Sequence, residues 1–184
     1  EIVLTGINLG DFGNLNGKLK AKNNGLIDLL NELENISDVN RYRISSIEPN
    51  LLSDEIIKFV SQSKKFLPHF HIPLQSGCDQ VLRDMKRRYN SAFYSNLISK
   101  IKKVMPDACI GVDIIVGFPT ETYDKFIETY NFLNNLGVSY FHVFKYSDRE
   151  NTLSFDIADK ISERDKNLRS QVLRDLSLKK KNTF

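Results

Sequence analysis

The run Ile110-Gly111-Val112-Asp113-Ile114-Ile115-Val116, followed by Gly117-Phe118-Pro119-Thr120-Glu121, is the stretch that decides the fold. A short, mostly β-branched apolar run that ends at a Gly- and Pro-containing turn is typical of a strand buried on both faces. The segment after the turn, 122–136, repeats apolar residues at the three- and four-residue spacing of a helix. A buried strand that leads directly into an amphipathic helix indicates a parallel sheet.

The same alternation extends along the whole chain. Runs of β-branched or aromatic residues predict further strands at 2–4, 42–44, 70–72 and 140–144. Helical periodicity predicts helices near 25–36, 53–64, 91–104 and 162–181, while 8–24 is rich in Gly and Asn and predicts a long irregular loop. This order predicts an α/β fold with right-handed crossovers, either a doubly wound sheet or a barrel.

Composition and charge narrow the class of protein. The 184 residues suffice for one domain, and the net charge of +3 permits a nucleic-acid partner without indicating one. Because no apolar run approaches the roughly 20 residues that cross a bilayer, and no signal-peptide pattern is visible, we expect a cytoplasmic protein without a membrane partner.

Cys78 and Cys109 have no metal-ligand spacing and are expected to be free thiols, at least one of them in the core. The chain begins at Glu1 without an initiator Met and has an uncapped end, which predicts an excised fragment.

Polar or glycine-rich groups follow each of the five predicted strands. In both candidate folds, ligands gather at the carboxyl ends of the strands. Each group alone is more often simple turn chemistry, but five together predict a ligand site. The carboxylate of Asp113, inside an apolar strand, is costly to bury and should meet a donor. The candidate residues are Thr5, Gly6, Asn8, Ser46, Glu48, Gln75, Ser76, Asp113, Gly117, Phe118, Tyr146 and Arg149.

A basic cluster, Lys86-Arg87-Arg88, follows the third strand and its short helix. It is either a solvated helix end, favoured by the helix dipole, or a site for a carboxylate or an RNA phosphate. The three histidines have no acidic or cysteine partner at ligand spacing in the sequence. We therefore expect structural roles for His69, His71 and His142.

Four blocks of sequence resemble the signature blocks of the radical S-adenosylmethionine (SAM) methylthiotransferases. They are HIPLQSG at 71–77, VLRDMKRRY at 81–89, DIIVGFPTET at 113–122 and YSDRENT at 146–152. The motifs RISSIEP at 43–49, TGIN at 5–8 and GDFG at 10–13 resemble the branch that acts on threonylcarbamoyladenosine (t6A) in tRNA. The chain departs from the family pattern at Thr120 and Asn151, where the family has glycine.

The resemblance implies a partial TIM-like (β/α) barrel, a single truncated radical SAM core over 1–184 that lacks its first strand and cluster loop. It implies SAM and two 4Fe–4S clusters as cofactors of the full-length enzyme, and the tRNA anticodon loop as partner. In that reaction a 5′-deoxyadenosyl radical removes hydrogen from C2 of t6A, and a methylthio group is inserted. The cluster cysteines are expected upstream of Glu1, and the N-terminal cluster domain and the C-terminal RNA-binding domain are also expected outside the chain. The segment should therefore hold no catalytic residue, metal ligand or tightly bound cofactor, and should be inactive alone.

The resemblance also implies where SAM binds, and it leaves alternatives open. Thr5, Gly6 and Asn8 match the motif that meets the amino group of SAM, and Ser46 and Glu48 match the ribose or carboxylate region. Gln75 and Ser76 lie at the third strand end, with Arg88 as a possible carboxylate partner. Asp113, Gly117 and Phe118 match the ribose and adenine region, and Tyr146 and Arg149 the adenine or the substrate base. The alternatives are an isopentenyladenosine tRNA, an aspartate of a ribosomal protein, or a non-catalytic α/β module. The oligomeric state is not fixed by the sequence.

Overall fold

A computed structural model describes residues 1–15, 18–19, 25–157 and 160–184. The strands are β1 (Ile2–Leu4), β2 (Asn14–Leu15), β3 (Lys18–Leu19), β4 (Tyr42–Ile44), β5 (His69–His71), β6 (Cys109–Val116) and β7 (Tyr140–Lys145). The α-helices are α1 (Leu26–Glu34), α2 (Asp54–Gln62), α3 (Asp79–Asp84), α4 (Ser91–Val104), α5 (Tyr123–Asn135) and α6 (Glu163–Thr183). Short 3-10 helices lie at Leu9–Asp11 and Pro49–Leu51.

The chain divides into two compact units. The first comprises 1–73 and 100–110, and the second comprises 74–99 and 111–184. In the first unit β1 pairs in parallel with β4, and β2 forms an antiparallel hairpin with β3. Buried apolar side chains of α1, β4, α2 and β5 form the core of this unit, among them Leu30, Ile44, Ile57 and Phe70.

The second unit is built on β6 and β7, which pair in parallel from Gly111 opposite Tyr140 to Val116 opposite Lys145. The hydroxyl of Ser177 on α6 donates to the carbonyl of Phe141 and accepts from its N–H, both at 2.8 Å. Helix α6 is thereby fixed along β7. The absence of a side chain at Gly111 is needed here, because a Cβ would lie 2.6 Å from the ring of Tyr140.

The predicted helices begin where the sequence places hydroxyl side chains. Ser53, Thr122 and Ser162 each precede a helix and accept a backbone N–H three residues further on. All five predicted strands and all five predicted helices are present, with ends that differ by at most two residues. The α/β prediction with parallel strands is confirmed.

The predicted irregular loop at 8–24 is partly wrong. Leu9–Asp11 forms a 3-10 helix, and β2 and β3 form a hairpin with two residues on each strand. Strands this short carry no detectable alternation, which is why the sequence did not reveal them. The remainder of the stretch, 16–17 and 20–24, lies outside the described residues. Among the described residues, no helix is both long and apolar enough to cross a membrane.

Candidate functional site

A cavity of about 510 Å³ opens at the carboxyl ends of β6 and β7 in the second unit. Four of the predicted site residues line it, namely Gln75, Asp113, Tyr146 and Arg149. Side chains of the third, fourth and fifth strand ends therefore share one cavity in this unit. The sequence did not single out the other lining residues, which are Ile115, Phe144, Lys145, Ser147, Thr152 and Ser154.

Gln75 has a backbone conformation that non-glycine residues rarely adopt, with φ of 72°. Its N–H donates to the carbonyl of Asp113 at 2.8 Å, and its own carbonyl accepts from the N–H of Ile115 at 2.9 Å. These two bonds hold the strained residue against β6. Such strain persists only where the surroundings enforce it, and it clusters at functional sites.

Asp113 meets the partner that its burial requires. It lies opposite His142 in the register of β6 and β7, and its Oδ1 is 3.3 Å from Nδ1 of that histidine. The Asp113 side chain is 21% exposed and the His142 side chain 51%. Sequence spacing showed no acidic partner for His142, because strand register brings together residues that are far apart in the sequence. The structural role expected of His142 stays a prediction.

A second cavity, of about 280 Å³, lies beside the first and shares Ile115, Tyr146 and Ser154 with it. Its other lining residues include Phe118, whose ring meets that of Tyr146 edge to face at 5.3 Å. The Tyr146 hydroxyl is buried and has no hydrogen-bond partner among the described residues. A buried hydroxyl without a partner among the described residues is costly.

The turn after β6 is anchored to α6 by a buried ion pair. Gly117, with φ of 78°, donates its N–H to Oε2 of Glu121 at 2.7 Å. Arg169 of α6 donates from Nη1 to the same oxygen and to the Glu121 carbonyl, both at 2.7 Å. Burial raises the pKa of the Glu121 carboxyl, while the Gly117 N–H and Arg169 oppose that rise. Sequence reasoning did not single out this pair, although an acid directly after a buried turn was a usable signal.

Three predicted residues of the second unit line neither cavity, namely Ser76, Arg88 and the turn residue Gly117. Ser76 is fully buried; its hydroxyl lies 3.1 Å from that of Thr129 and accepts the N–H of Cys78 at 3.2 Å. Arg88 is exposed. The residues of the basic cluster that line the second cavity are its neighbours, Lys86 and Arg87.

The remaining predicted residues belong to the first unit, after β1 and β4. Thr5, Gly6 and Asn8 are exposed, and Asn8 immediately precedes the 3-10 helix Leu9–Asp11. Ser46 forms a parallel bridge with His71, and Glu48 precedes the 3-10 helix Pro49–Leu51.

Glu1, upstream of which the cluster cysteines are expected, has a structural role within the first unit. Its carboxylate forms ion pairs with Nε of Arg41 at 3.8 Å and with Nε of Arg43 at 3.6 Å. These contacts join the residue before β1 to the segment of β4, although ion pairs this open to solvent contribute little stability. Glu1 lines neither of the two cavities. The placement of the cluster cysteines upstream of Glu1 stays a prediction from the family resemblance.

Residues 19–133, more than half of the chain, match the sequence profile of the Radical SAM superfamily. The chain belongs to this superfamily. Membership agrees with the predicted parallel strands and with the signature blocks that the sequence resembles.

Among curated radical SAM relatives, the chain is similar to methylthiotransferases. Threonylcarbamoyladenosine tRNA methylthiotransferase MtaB of Bacillus subtilis is 42% identical over 178 residues, 96% of this chain and 38% of the relative. MtaB of Aquifex aeolicus is 38% identical over 184 residues, 100% of this chain and 43% of the relative. The tRNA-2-methylthio-N(6)-dimethylallyladenosine synthase of Bacillus subtilis is 36% identical over 176 residues, which are 96% of this chain and 34% of the relative. The chain thus spans less than half the length of these relatives.

A solved structure supports the fold. Coproporphyrinogen III oxidase (HemN) from Escherichia coli, described as a radical SAM enzyme, matches with a TM-score of 0.61 and 18% identity. The match covers 80% of this chain and 34% of that one. At this identity the likeness concerns the α/β fold alone.

The residues present fit SAM but not an iron–sulfur cluster. The larger cavity combines a carboxylate, an amide, a guanidinium and aromatic walls, which suits a charged nucleoside. Fe–S clusters are held by several converging thiolates. Both cysteines are free, Cys109 is partly exposed, and burial raises the pKa of the Cys78 thiol, with a hydrogen bond to Glu128 acting in the same direction. The prediction of free thiols is confirmed.

Proposed function

We propose that this chain is the core segment of a radical SAM methylthiotransferase that acts at C2 of t6A beside the anticodon of tRNA. One observation carries the proposal. Gln75, Asp113, Tyr146 and Arg149 share a cavity in a chain that is 42% identical to an MtaB protein over 178 residues. Because the chain covers 38% of that relative, clusters and RNA contacts are assigned to the complete enzyme.

The larger cavity would hold SAM, and we call it the SAM cavity. The Asp113 carboxylate would accept hydrogen bonds from ribose hydroxyls, and the Gln75 amide can both donate and accept. Arg149 would supply positive charge for the SAM carboxylate, because the ammonium of Lys145 is already bound to Asn167 and Glu163 of α6. When bound, SAM supplies the radical that removes hydrogen from the substrate; the role of this chain is to orient it and exclude water.

Two finer assignments accompany this proposal. The parallel pairs are assigned to a partial TIM-like barrel, supported by the likeness in fold to HemN. That this barrel lacks its first strand and cluster loop stays a prediction from the family resemblance. The SAM contacts of Thr5, Gly6, Asn8, Ser46 and Glu48 stay predictions from the family resemblance.

The test is SAM affinity in the full-length, cluster-loaded enzyme. Gln75→Ala removes the amide from the SAM cavity, and we expect SAM binding to weaken about fivefold to tenfold, the effect of one lost hydrogen bond. Asn8→Ala tests the first-unit assignment in the same way. Equilibrium dialysis with labelled SAM measures both.

Ser76→Ala is the matched control for Gln75→Ala. It alters the adjacent residue but leaves the SAM cavity intact, because the Ser76 hydroxyl bonds to Thr129 and Cys78. We expect unchanged SAM affinity and a loss of about 1–2 kcal/mol in the free energy of unfolding, from the buried groups that it leaves unpaired. Unchanged SAM binding in Gln75→Ala would contradict the assignment of the cavity.

The substrate is tested separately. A strain that lacks the parent gene should lose methylthiolated t6A from its tRNA while retaining the isopentenyl-based modification, as read by mass spectrometry of digested tRNA. Loss of the isopentenyl derivative alone would favour the other tRNA branch. An unchanged tRNA profile would favour the ribosomal protein or a non-catalytic module.

A further inference from the structure

We infer that the second cavity recognises the modified base, and that Lys86 and Arg87 bind the threonyl carboxylate of t6A. This inference rests on the proposed function. We call this the modification pocket. Its lining comprises Asp84, Met85, Lys86, Arg87, Ile115, Phe118, Tyr146, Leu153 and Ser154. It adjoins the SAM cavity through the shared residues Ile115, Tyr146 and Ser154.

The walls of the modification pocket suit a planar base. Phe118 and Tyr146 meet edge to face, and Met85 packs against the same cluster, which also contains Val81 of α3. Aromatic and thioether surfaces favour stacking and edge contacts with a heterocycle.

The charges of the modification pocket favour an anion. Lys86 and Arg87 contribute two positive charges against the single carboxylate of Asp84. That carboxylate already accepts a hydrogen bond from Nε2 of Gln80 at 2.9 Å. A carboxylate that enters with the base would therefore meet a lining of net positive charge.

The backbone brings both cations to the pocket through a Schellman ending of α3. The N–H of Arg87 donates to the Leu82 carbonyl and the N–H of Lys86 to the Arg83 carbonyl, both at 2.9 Å. Lys86 occupies the left-handed position of this motif, with φ of 58°. Glycine is the favoured residue there, and a lysine is strained.

That strain indicates a role for the lysine beyond helix termination. A residue that costs stability in a sparsely populated conformation is a sign of function when it lines a cavity. Unlike glycine, Lys86 carries an ammonium group, and this positive charge can bind an anionic substrate group. Replacing Lys86 with glycine should therefore preserve or raise the stability of the protein and weaken its recognition of the substrate.

The two tRNA substrates differ in the group that these cations would bind. A threonylcarbamoyl group ends in a carboxylate, whereas a dimethylallyl group is neutral and apolar. An RNA phosphate is also anionic, but it is present in both RNAs and stays outside an aromatic-walled pocket. The carboxylate is therefore the anion that lets the modification pocket discriminate.

The experiment uses full-length, cluster-loaded enzyme and anticodon stem–loop RNAs that carry t6A, its threonyl amide, or the dimethylallyl base. Lys86→Gly and Arg87→Met are compared with Arg83→Met, an exposed cation of α3 that bonds to Gln80 and does not line the pocket. Mass spectrometry of digested RNA gives kcat/KM for methylthio transfer. Melting temperature and SAM affinity are measured in parallel.

We expect the native enzyme to prefer t6A over the amide by about tenfold or more, as for a charge-assisted hydrogen bond. Lys86→Gly and Arg87→Met should each reduce that preference severalfold with unchanged SAM affinity, and Arg83→Met should preserve it. Lys86→Gly should also melt at an equal or higher temperature, so that its lower activity is not a folding defect.

Three outcomes would overturn the inference. Equal losses on t6A and on the amide would mean that the cations bind a phosphate, and an undiminished preference in both variants would mean that they bind no substrate anion. A native enzyme that binds SAM but modifies none of these RNAs would remove the proposed function, and this inference with it. The first two outcomes occur in an enzyme that does modify t6A RNA, so they would remove the inference alone.

Discussion

Within the described residues, three non-glycine residues have left-handed backbone conformations, and all three lie beside the cavities of the second unit. They are Gln75, Lys86 and Asn151, with φ of 72°, 58° and 63°. Gln75 and Lys86 line a cavity each, and Asn151 adjoins the lining residue Thr152. Asn151 is also where the resembling family has glycine. The structure explains the pattern, because the position needs a positive φ and Asn tolerates it better than most residues.

Asn151 therefore gives a prediction about stability. Asn151→Gly should raise the free energy of unfolding by a few tenths of a kcal/mol to about 1 kcal/mol, since glycine adopts this conformation without strain. Asn151→Ala should lower it by a similar amount, because alanine has neither the freedom of glycine nor the local hydrogen bonds of asparagine. Urea denaturation measures both, and equal midpoints for the three proteins would refute the argument.

Gly117 is predicted to tolerate no side chain. Its φ of 78° disfavours other residues, and a Cβ there would lie 2.3 Å from Cγ of Lys166. Gly117→Ala should destabilise the protein by about 1–3 kcal/mol, from backbone strain and displacement of Lys166. Gly6→Ala is the control, because its Cβ would have no contact closer than 3.8 Å, and it should change stability by less than about 0.5 kcal/mol. Thermal unfolding compares the two, and a smaller loss at Gly117 than at Gly6 would contradict the geometry.

At the scale of the element, the sequence predicted what depends on local periodicity. Helix α4 was predicted at 91–104 and is observed at Ser91–Val104, since a long amphipathic segment carries its own signal. The hairpin of β2 and β3 was missed because two-residue strands have no period. Gln75 and Asp113 were predicted from their strand ends alone, and they do share a cavity.

What the sequence did not predict depends on contacts between distant residues. The pairing of Asp113 with His142 follows from the register of β6 and β7. Ser76 could not be told from Gln75 by sequence, because the buried partner of its hydroxyl is Thr129 of α5, 53 positions away. Likewise, the left-handed turn at Lys86 decides that Lys86 and Arg87, rather than Arg88, line the modification pocket.

Helix α6 is tied to the turn after β6 by the pair of Arg169 and Glu121, and this link should depend on pH. Arg169→Met leaves the buried carboxyl without its cation, and breaking such a pair costs about 3–5 kcal/mol near neutral pH. The pKa of Glu121 is already raised in the folded protein. The contribution of this group to stability is therefore full at a pH below its pKa in the unfolded chain, and it is lost as the pH rises through its pKa in the folded protein. Removing Arg169 raises the folded pKa further. The cost of the substitution should therefore be small under acidic conditions and increase as the pH rises.

Urea titrations of Arg169→Met and the native protein over a range from about pH 4 to about pH 8 measure this dependence. Adding Glu121→Gln to Arg169→Met is the matched control, because a neutral amide in place of the carboxylate should restore part of the stability and remove the slope. A cost that is constant with pH would mean that Arg169 contributes packing on Phe126, which lies 5.5 Å from its guanidinium, and no charge interaction.

At the scale of the whole molecule, the chain carries polar groups suited to SAM without the thiolates suited to a cluster, and this division is testable in the full-length protein. Burial raises the pKa of the Cys78 thiol, which disfavours the thiolate form that binds a cluster, and Cys109 is the other cysteine of the sequence. The double variant Cys78→Ala/Cys109→Ala should therefore retain the native iron and sulfide content and the native SAM affinity. Its stability should fall by about 1–2 kcal/mol, because the Cys78 side chain packs in a cluster with Val81 and Phe118.

Iron analysis with a chromogenic chelator and SAM dialysis give the readouts, and Ser76→Ala, with a similar loss of stability, controls for instability. A loss of about four irons per chain in the double variant alone would place a cluster on these thiols, and would overturn the assignment of the cluster ligands to another part of the enzyme.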